Sequence, residues 1–219
     1  MFFGCREGLF ANMIKSKNGM INLLFESPLT FILVALALIL SLSIHEFAHA
    51  FIAYKLGDPT AKYLGRVTLD PRAHLDPIGT LLMLFAGFGW GKPVPFNPIN
   101  LQNPKRDGAL ISIAGPVSNI LLAIALAAVL HLIKMPLLLS GFLYLTMMFN
   151  LMLGFFNLIP VHPLDGFKVV YGLLPYNLAV QWLQMESAGL VILLIMVMTS
   201  SVGKILNPLV QFSLKLLGF

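Results

Sequence analysis

The sequence predicts an all-α polytopic membrane protein: a bundle of about four to six transmembrane or partly inserted helices, with a small β element and an extended Pro-rich loop. Of its 219 residues, 58% are hydrophobic and only 11% are charged. Long uncharged runs alternate with short loops that hold basic and proline residues. An ordinary soluble domain is excluded, because about a quarter of the residues in such domains are charged.

The net charge of +5 comes from basic residues in the loops between apolar runs. These residues form no basic stripe with interleaved aromatic side chains, so we expect the lipid bilayer, and no nucleic acid, as their partner. The single cysteine, Cys5, excludes both an intramolecular disulfide and a cysteine-rich metal site. A bound metal would have to use His and carboxylate ligands.

The first transmembrane span is predicted over about 28–56. It contains an uncharged run at 27–44 and ends at Gly57, which is followed by an Asp-Pro turn. Residues 1–26 mix apolar side chains with three basic ones, a composition that suits an interfacial segment better than a span.

Three segments that do not span the membrane are predicted next. Residues 61–77 are polar and contain β-branched and aromatic side chains around Gly65, which favours a small β element. Residues 77–91 are uncharged but short and rich in glycine, which is typical of a re-entrant segment covered by protein or by a water-filled cavity. Residues 92–104 contain four prolines, which impose an extended conformation.

A second full span is predicted over about 107–132, with the sequence AGPVSN at 114–119 in its first half. Gly115, Ser118 and the neighbouring alanines allow another helix to approach closely. We expect Pro116 to loosen the helix locally.

The third full span is predicted over about 136–158. It leads into a proline-broken turn, FNLIPVHPLDG, at 156–166. A last apolar run at 188–203 can span with the help of its flanks. These boundaries divide the chain into the interfacial segment 1–26, a membrane-embedded core at 27–180, and accessory transmembrane or amphipathic segments at 181–219.

The last turns of the first span hold the motif His-Glu-x-x-His. On a helix that turns ~100° per residue, His45 and His49 lie ~40° apart and can share one metal, with Glu46 beside them. Two imidazole ligands and a carboxylate that can take a proton from metal-bound water are typical of a catalytic zinc site. So short a motif also occurs by chance on soluble helices. At membrane depth, however, ionisable residues are costly unless something compensates them, and the membrane context favours a functional site.

A catalytic zinc usually has three protein ligands, so a third is needed. Four of the candidates lie in loops directly after the motif helix, where caps and turns explain each of them better than ligation. Asp165 instead follows a long uncharged span and a proline-broken turn, which places an acid at membrane depth, and ligation is the simplest explanation. The full set of candidates is Asp58, Asp70, His74, Asp76, His162 and Asp165.

The sequence resembles the site-2 protease family of intramembrane zinc metalloproteases. The resemblance rests on HEFAH at 45–49 and NLIPVHPLDG at 157–166, with AGPVSN and GKPVPFNP between them. It covers roughly residues 40–170 and is of the compact prokaryotic type, without a fused PDZ-like or nucleotide-sensing domain.

This resemblance implies that His45, His49 and Asp165 bind one zinc ion per chain. It also implies that Glu46 is the catalytic acid and base, and that Asn157 lies near the reacting carbonyl. His162 lies within the motif but at a position that the family does not fix as a ligand.

The expected function is hydrolysis of peptide bonds within or near the transmembrane helix of a membrane-protein substrate. The alternative is a metal-binding membrane protein without hydrolase activity, either a transporter or an inactive protease-like scaffold. An inactive scaffold would more often have lost Glu46 or a ligand, and a transporter has no need of Glu46 between its ligands. The basic loop after the first span predicts a multi-pass protein of the cell membrane, with its zinc site nearer the cytoplasmic face.

Overall fold

The computed structural model describes residues 24–86 and 89–219. The predicted interfacial segment 1–26 therefore lies almost entirely outside the described residues. The helices with defined bounds are α1 (Pro28–Lys55), α2 (Thr60–Tyr63), α3 (Pro77–Ala86), α4 (Pro104–Leu132), α5 (Leu137–Asn157), α6 (Asp165–Leu173), α7 (Tyr176–Gln184), α8 (Glu186–Met198) and α9 (Ser201–Leu216).

Three of these helices, α1, α4 and α5, are long and apolar enough to cross a membrane. They coincide with the three full spans predicted from the sequence, so those predictions are confirmed. Helices α1 and α4 each begin with a proline in their first turn, where its missing N–H costs no hydrogen bond. Among the described residues, α7 and α8, which meet at a bend of 60°, would together form a fourth candidate span.

Helix α4 lies at the centre of the bundle and packs against α1, α5 and α6. Small residues permit this close packing: a Cβ atom on Gly154 of α5 would lie 3.1 Å from the backbone oxygen of Pro116 in α4. Pro116 lies inside α4, which continues on both sides of it. A shared apolar cluster joins α4, α5 and α9 through Ala123, Ala127, Leu130, Tyr144, Met147, Met148, Leu151 and Val210.

The predicted β element at 61–77 is wrong. The described part of this region forms α2 and a 3₁₀ turn at Pro71–Ala73, and its one β feature is an isolated bridge between Leu75 and Gly91. The 3₁₀ turn is fixed locally, because the Asp70 side chain accepts a hydrogen bond from the backbone N–H of Arg72. Local capping therefore stabilises a turn at the end of a segment whose β-branched residues favoured a strand.

The uncharged segment predicted over 77–91 begins with the ten-residue helix α3. At 1.5 Å per residue, this helix is ~15 Å long, about half the thickness of a bilayer core. It is thus too short to span, as the sequence predicted. Its re-entrant placement stays a prediction.

The Pro-rich loop after α3 is fastened to the segment that follows the motif helix. Asp58 is fully buried and accepts hydrogen bonds from the backbone N–H of Asn97 at 2.6 Å and from the side chain of Asn100 at 2.7 Å. Burial alone would raise the pKa of Asp58, but hydrogen bonds, first those of Thr60 and Asn100, hold it below its usual value. The Arg66 guanidinium donates to the carbonyl oxygens of Lys92 and Pro93. These contacts hold an extended segment beside the end of α1.

The last apolar run, predicted over 188–203, is divided in the structure. Helix α8 ends at Met198, Ser200 has a left-handed φ of 56°, and α9 follows. The boundaries between the core at 27–180 and the accessory region at 181–219 remain a prediction.

Candidate metal centre

One span, α1, and the start of α6 bring together three side chains that could hold a metal ion. The Nε2 atoms of His45 and His49 are 3.0 Å apart. Oδ2 of Asp165, the first residue of α6, lies 3.0 Å from the Nε2 of His45 and 3.2 Å from that of His49. Both histidines are buried. Among the described residues, this is the group of His, Cys, Asp and Glu side chains with the geometry to hold a metal ion.

The opposite nitrogen of each ring has an oxygen partner. Nδ1 of His45 lies 2.6 Å from Oδ1 of Asn119, and Nδ1 of His49 lies 2.7 Å from the backbone oxygen of Ile111. Because each oxygen can only accept, each Nδ1 carries the proton and each Nε2 is left with a lone pair. A partner that fixes the second ring nitrogen is usual for histidines that bind a metal.

Lone pairs from two nitrogens and one carboxylate oxygen therefore point at one another. Oδ2 of Asp165 is buried and accepts no hydrogen bond from the described residues. A divalent cation satisfies all three atoms at once, and two imidazoles with one carboxylate form a ligand set that zinc accepts. The donor set thus fits zinc.

Gly115 of α4 provides the space in front of these atoms. A Cβ atom at this position would lie 2.4 Å from Nε2 of His49 and 2.6 Å from Cε1 of His45. Both distances are shorter than any contact a side chain can keep. The glycine was predicted from the sequence to allow helix packing, and in the structure it faces the donor atoms.

A buried hydrogen-bond network holds Asn119 in place. Its amide nitrogen donates to the backbone oxygen of Ser41 at 3.0 Å and to Oδ1 of Asn150 at 2.7 Å. Asn150 in turn donates to the Ser41 hydroxyl and to the Thr146 backbone oxygen, each at 2.8 Å. The network joins α1, α4 and α5, and it fixes which atom of the Asn119 amide faces His45.

Asp165 reaches the histidines because of the turn between α5 and α6. Pro160 and Pro163 interrupt the helix, and the turn is closed by the Leu164 N–H, which donates to the Val161 oxygen at 2.8 Å. Gly166 follows the ligand, and a Cβ atom there would lie 2.3 Å from the Leu158 oxygen. A glycine is therefore required for the start of α6 to pack against the end of α5.

Glu46 is half-buried, next to His45 on the motif helix. Within the described residues, no hydrogen bond engages its carboxylate, so its oxygens are available to a ligand. It lies close enough to Arg66 for their charges to interact: burial lowers the pKa of Arg66, and the negative charge of Glu46 opposes that effect.

The structure does not bring Asn157 into contact with the three donor atoms. Its side-chain amide donates to the backbone oxygen of Leu153 in its own helix at 3.0 Å. Asn157 occupies the last residue of α5, on the same side of the bundle as the Asp165 turn.

The remaining candidate ligands have structural partners. Asp70 and Asp76 accept hydrogen bonds from backbone N–H groups in their own turns. A ring nitrogen of His74 lies 2.8 Å from the Thr68 backbone oxygen. His162 lies 3.6 Å from the Glu186 carboxylate and outside the metal-binding group.

The sequence analysis did not single out Asn119 and Asn150, the two amides of the network that contacts His45. Both are fully buried amides in the middle of uncharged spans. The argument that singled out Asp165, that a polar group at membrane depth needs a partner, applies equally to these two amides. That signal was present in the sequence.

Comparison with models of protein families gave no match. The chain is similar to a Bacillus subtilis protein named "Putative zinc metalloprotease YwhC", with 41% identity over 187 residues, which cover 81% of this chain and 85% of the relative. It is also similar to "Putative zinc metalloprotease Rip2" of Mycobacterium tuberculosis, with 34% identity over 149 residues; the match covers 64% of this chain and 56% of that protein. The chain thus spans about half the length of the latter relative.

A solved structure, "Site-2 Protease from Methanocaldococcus jannaschii", is 24% identical, with a TM-score of 0.47 and coverage of 88% of this chain and 81% of that one. So loose a likeness carries no functional argument. The family assignment rests instead on the match to the Bacillus subtilis relative, which extends over most of both chains. This chain belongs to the site-2 protease family of zinc metalloproteases.

Proposed function

We propose that this membrane protein hydrolyses peptide bonds within or near the transmembrane helix of a membrane-protein substrate. The observation that carries the proposal is the convergence of His45, His49 and Asp165 between spans, with their lone pairs facing one another and Glu46 adjacent. The names of the matched relatives, zinc metalloproteases, support it.

In this proposal, His45, His49 and Asp165 hold one zinc ion. Zinc, when bound, supplies Lewis acidity, which polarises a carbonyl oxygen and acidifies water. Glu46 takes a proton from the attacking water as the water oxygen bonds to the carbonyl carbon. Glu46 then gives that proton to the leaving nitrogen as the C–N bond breaks, and it ends the cycle as a carboxylate.

Asn157 is proposed to donate a hydrogen bond to the developing oxyanion. Its side-chain nitrogen carries two N–H donors; one donates to the Leu153 backbone oxygen, and the second is left for this role. Asn157→Ala is expected to keep zinc and to lower turnover by about 10² to 10³, the usual effect of removing one such donor. Metal content and thermal stability are measured in parallel, and a loss of both would mean that Asn157 is a structural residue.

A transmembrane substrate must unwind before cleavage, because a helix hides its peptide bonds, and its freed backbone groups then need partners. The predicted β element and the Pro-rich loop are the two candidate partners in this chain. The segment at 61–70 contains α2 in the structure and offers no strand. The extended segment at 92–98, fastened by Asp58 and Arg66, is the remaining candidate for pairing with an unwound substrate.

The proposal is tested with the purified full chain and a model transmembrane peptide. Glu46→Gln is expected to retain one zinc per chain and to abolish cleavage, since the ligands remain while the proton carrier is lost. Glu26→Gln is the matched control, because Glu26 is an exposed acid near the start of α1, and it should cleave at the wild-type rate. Cleavage by the wild type should stop when a chelator removes the metal.

Cleavage by Glu46→Gln at a near wild-type rate would refute the mechanism. The alternative, a metal-binding membrane protein without hydrolase activity, predicts bound zinc but no chelator-sensitive cleavage by the wild type.

A further inference from the structure

A cavity of about 230 Å³ lies beside the metal centre but is separate from it. Its walls come from the Pro-rich loop, the start of α4, α6, and the end of α7 with the start of α8. The aromatic rings of Phe96 and Tyr171 form part of the lining, and Lys105, Lys168, His162 and Glu186 supply its charged or ionisable groups.

The two lysines are held against the aromatic wall. Nζ of Lys168 lies 5.5 Å from the centre of the Phe96 ring, and Nζ of Lys105 lies 5.8 Å from the centre of the Tyr171 ring. Lys105 also donates to the Leu174 backbone oxygen. These contacts fix two positive charges at the cavity.

Neither lysine forms an ion pair within the described part of the chain, where the three short acid–base contacts all involve histidines. Glu186, the acid that lines the cavity, lies 3.6 Å from Nδ1 of His162. Each ammonium group has three donors, so both lysines keep donors for an incoming anion. The cavity therefore has an excess of positive charge.

The cavity lies where membrane helices begin and end, and exposed apolar residues follow its lining residues Pro98 and Tyr171 along the chain. Ile99, Leu173 and Tyr176 are 89%, 79% and 77% exposed. Basic pockets between transmembrane helices are typical binding sites for anionic lipid head groups. We propose that the two lysines bind the phosphate of an anionic phospholipid, whose acyl chains lie along these apolar side chains. A lipid is favoured over a free anion because exposed apolar side chains are neighbours in sequence of the residues that line the basic cavity.

This proposal is independent of the zinc chemistry, and its test does not use cleavage. Native mass spectrometry of the full chain in detergent measures binding of phosphatidylglycerol and of phosphatidylcholine. The wild type should bind phosphatidylglycerol more tightly. The double variant Lys105→Gln/Lys168→Gln should bind phosphatidylglycerol about 30-fold more weakly, because it loses two lysines that each attract an anionic head group with the strength usual near an anionic surface.

Matched variants separate this site from a general charge effect. Lys134→Gln/Lys204→Gln removes two exposed lysines elsewhere and should bind as the wild type does. Lys105→Arg/Lys168→Arg keeps both positive charges and should bind phosphatidylglycerol as the wild type does. Glu186→Gln should bind it more tightly, because a negative charge is removed.

Three outcomes would overturn the proposal: equal losses in the two double glutamine variants, equal binding of both lipids by the wild type, or complete displacement of phosphatidylglycerol by equimolar inorganic phosphate. The last outcome would identify the cavity as a site for a free anion.

Discussion

The Nδ1 atom of His45 in α1 lies 2.6 Å from the Oδ1 atom of Asn119 in α4. This contact sets the tautomer of His45 and so directs the lone pair of its Nε2 toward His49 and Asp165. Because Asn119 also donates to Ser41 and Asn150, the amide cannot rotate without losing two buried hydrogen bonds. Three spans thus cooperate to orient one candidate zinc ligand.

Replacing Asn119 with Ala is expected to lower zinc affinity by about 10- to 100-fold, the usual effect of removing a partner of a ligating histidine. Asn119→Asp keeps an oxygen acceptor for Nδ1 and should recover part of the loss. Competition with a chromophoric chelator measures the affinity. Ser140→Ala is the control, because it removes a buried hydroxyl whose hydrogen bond is made within its own helix. If the Ser140 and Asn119 variants lose affinity equally, the network has only a structural role.

Gly115→Ala should prevent metal binding, because the added methyl group would lie 2.4 Å from Nε2 of His49. Gly141→Ala is the matched control, since a Cβ atom at Gly141 has no neighbour within 4 Å. Metal content of the two purified variants, with circular dichroism to verify folding, distinguishes them. A folded Gly115→Ala protein with a full complement of zinc would show that the donor atoms meet elsewhere.

The spans could be predicted from the sequence because uncharged runs of this length have few alternatives to a membrane helix. His45, His49 and Asp165 could be predicted as neighbours for a related reason: an ionisable group at membrane depth requires a partner. The convergence of the two motifs follows from the direction of the helices. Helices α1 and α5 both end on the side where α4 begins, so the motif histidines and the Asp165 turn lie at the same end of the bundle.

The conformation of residues 61–77, where a β element was predicted, could not be predicted from the sequence in the same way. The β-branched residues of this segment favour a strand, but a strand needs a partner, and the described residues provide only the bridge from Leu75 to Gly91. The role of Gly115 was equally hidden. Sequence shows that a small residue permits close approach, but not that the approaching atoms are the two ligating rings.

Asp165→Ala should lose both zinc affinity and cleavage, because it removes the carboxylate that faces both Nε2 atoms. Asp76→Ala should lose neither, since Asp76 caps a turn through the N–H of Gly79. Metal analysis of the two purified proteins is the measurement. A zinc-replete Asp165→Ala variant would indicate that another acid or His162 completes the ligand set.

The orientation of the chain in the membrane gives the last prediction. Residues 55–108, from the end of α1 to the first turn of α4, hold seven of the fourteen basic residues, including Lys62, and we propose that this region is cytoplasmic. Lys134, between α4 and α5, then lies outside. The three basic residues at the N-terminus would favour the opposite orientation if residues 1–26 do not cross the membrane. The larger cluster should prevail, at about 1 kcal/mol per charge near an anionic surface.

The zinc site then lies within the bilayer, nearer its cytoplasmic face, because His45 is separated by about 15 Å of helix from the end of α1 at Lys55 and by about 25 Å from its start at Pro28. Lys62→Cys and Lys134→Cys, each made singly in a Cys5→Ser background, should react with a membrane-impermeant thiol reagent from opposite sides. Both lysines are exposed, so the new thiols are accessible without disturbing the core. In intact cells only the Lys134→Cys protein should be labelled, and lysis should expose Lys62→Cys. Labelling of Lys62→Cys before lysis would reverse the orientation and place the zinc site nearer the outer face.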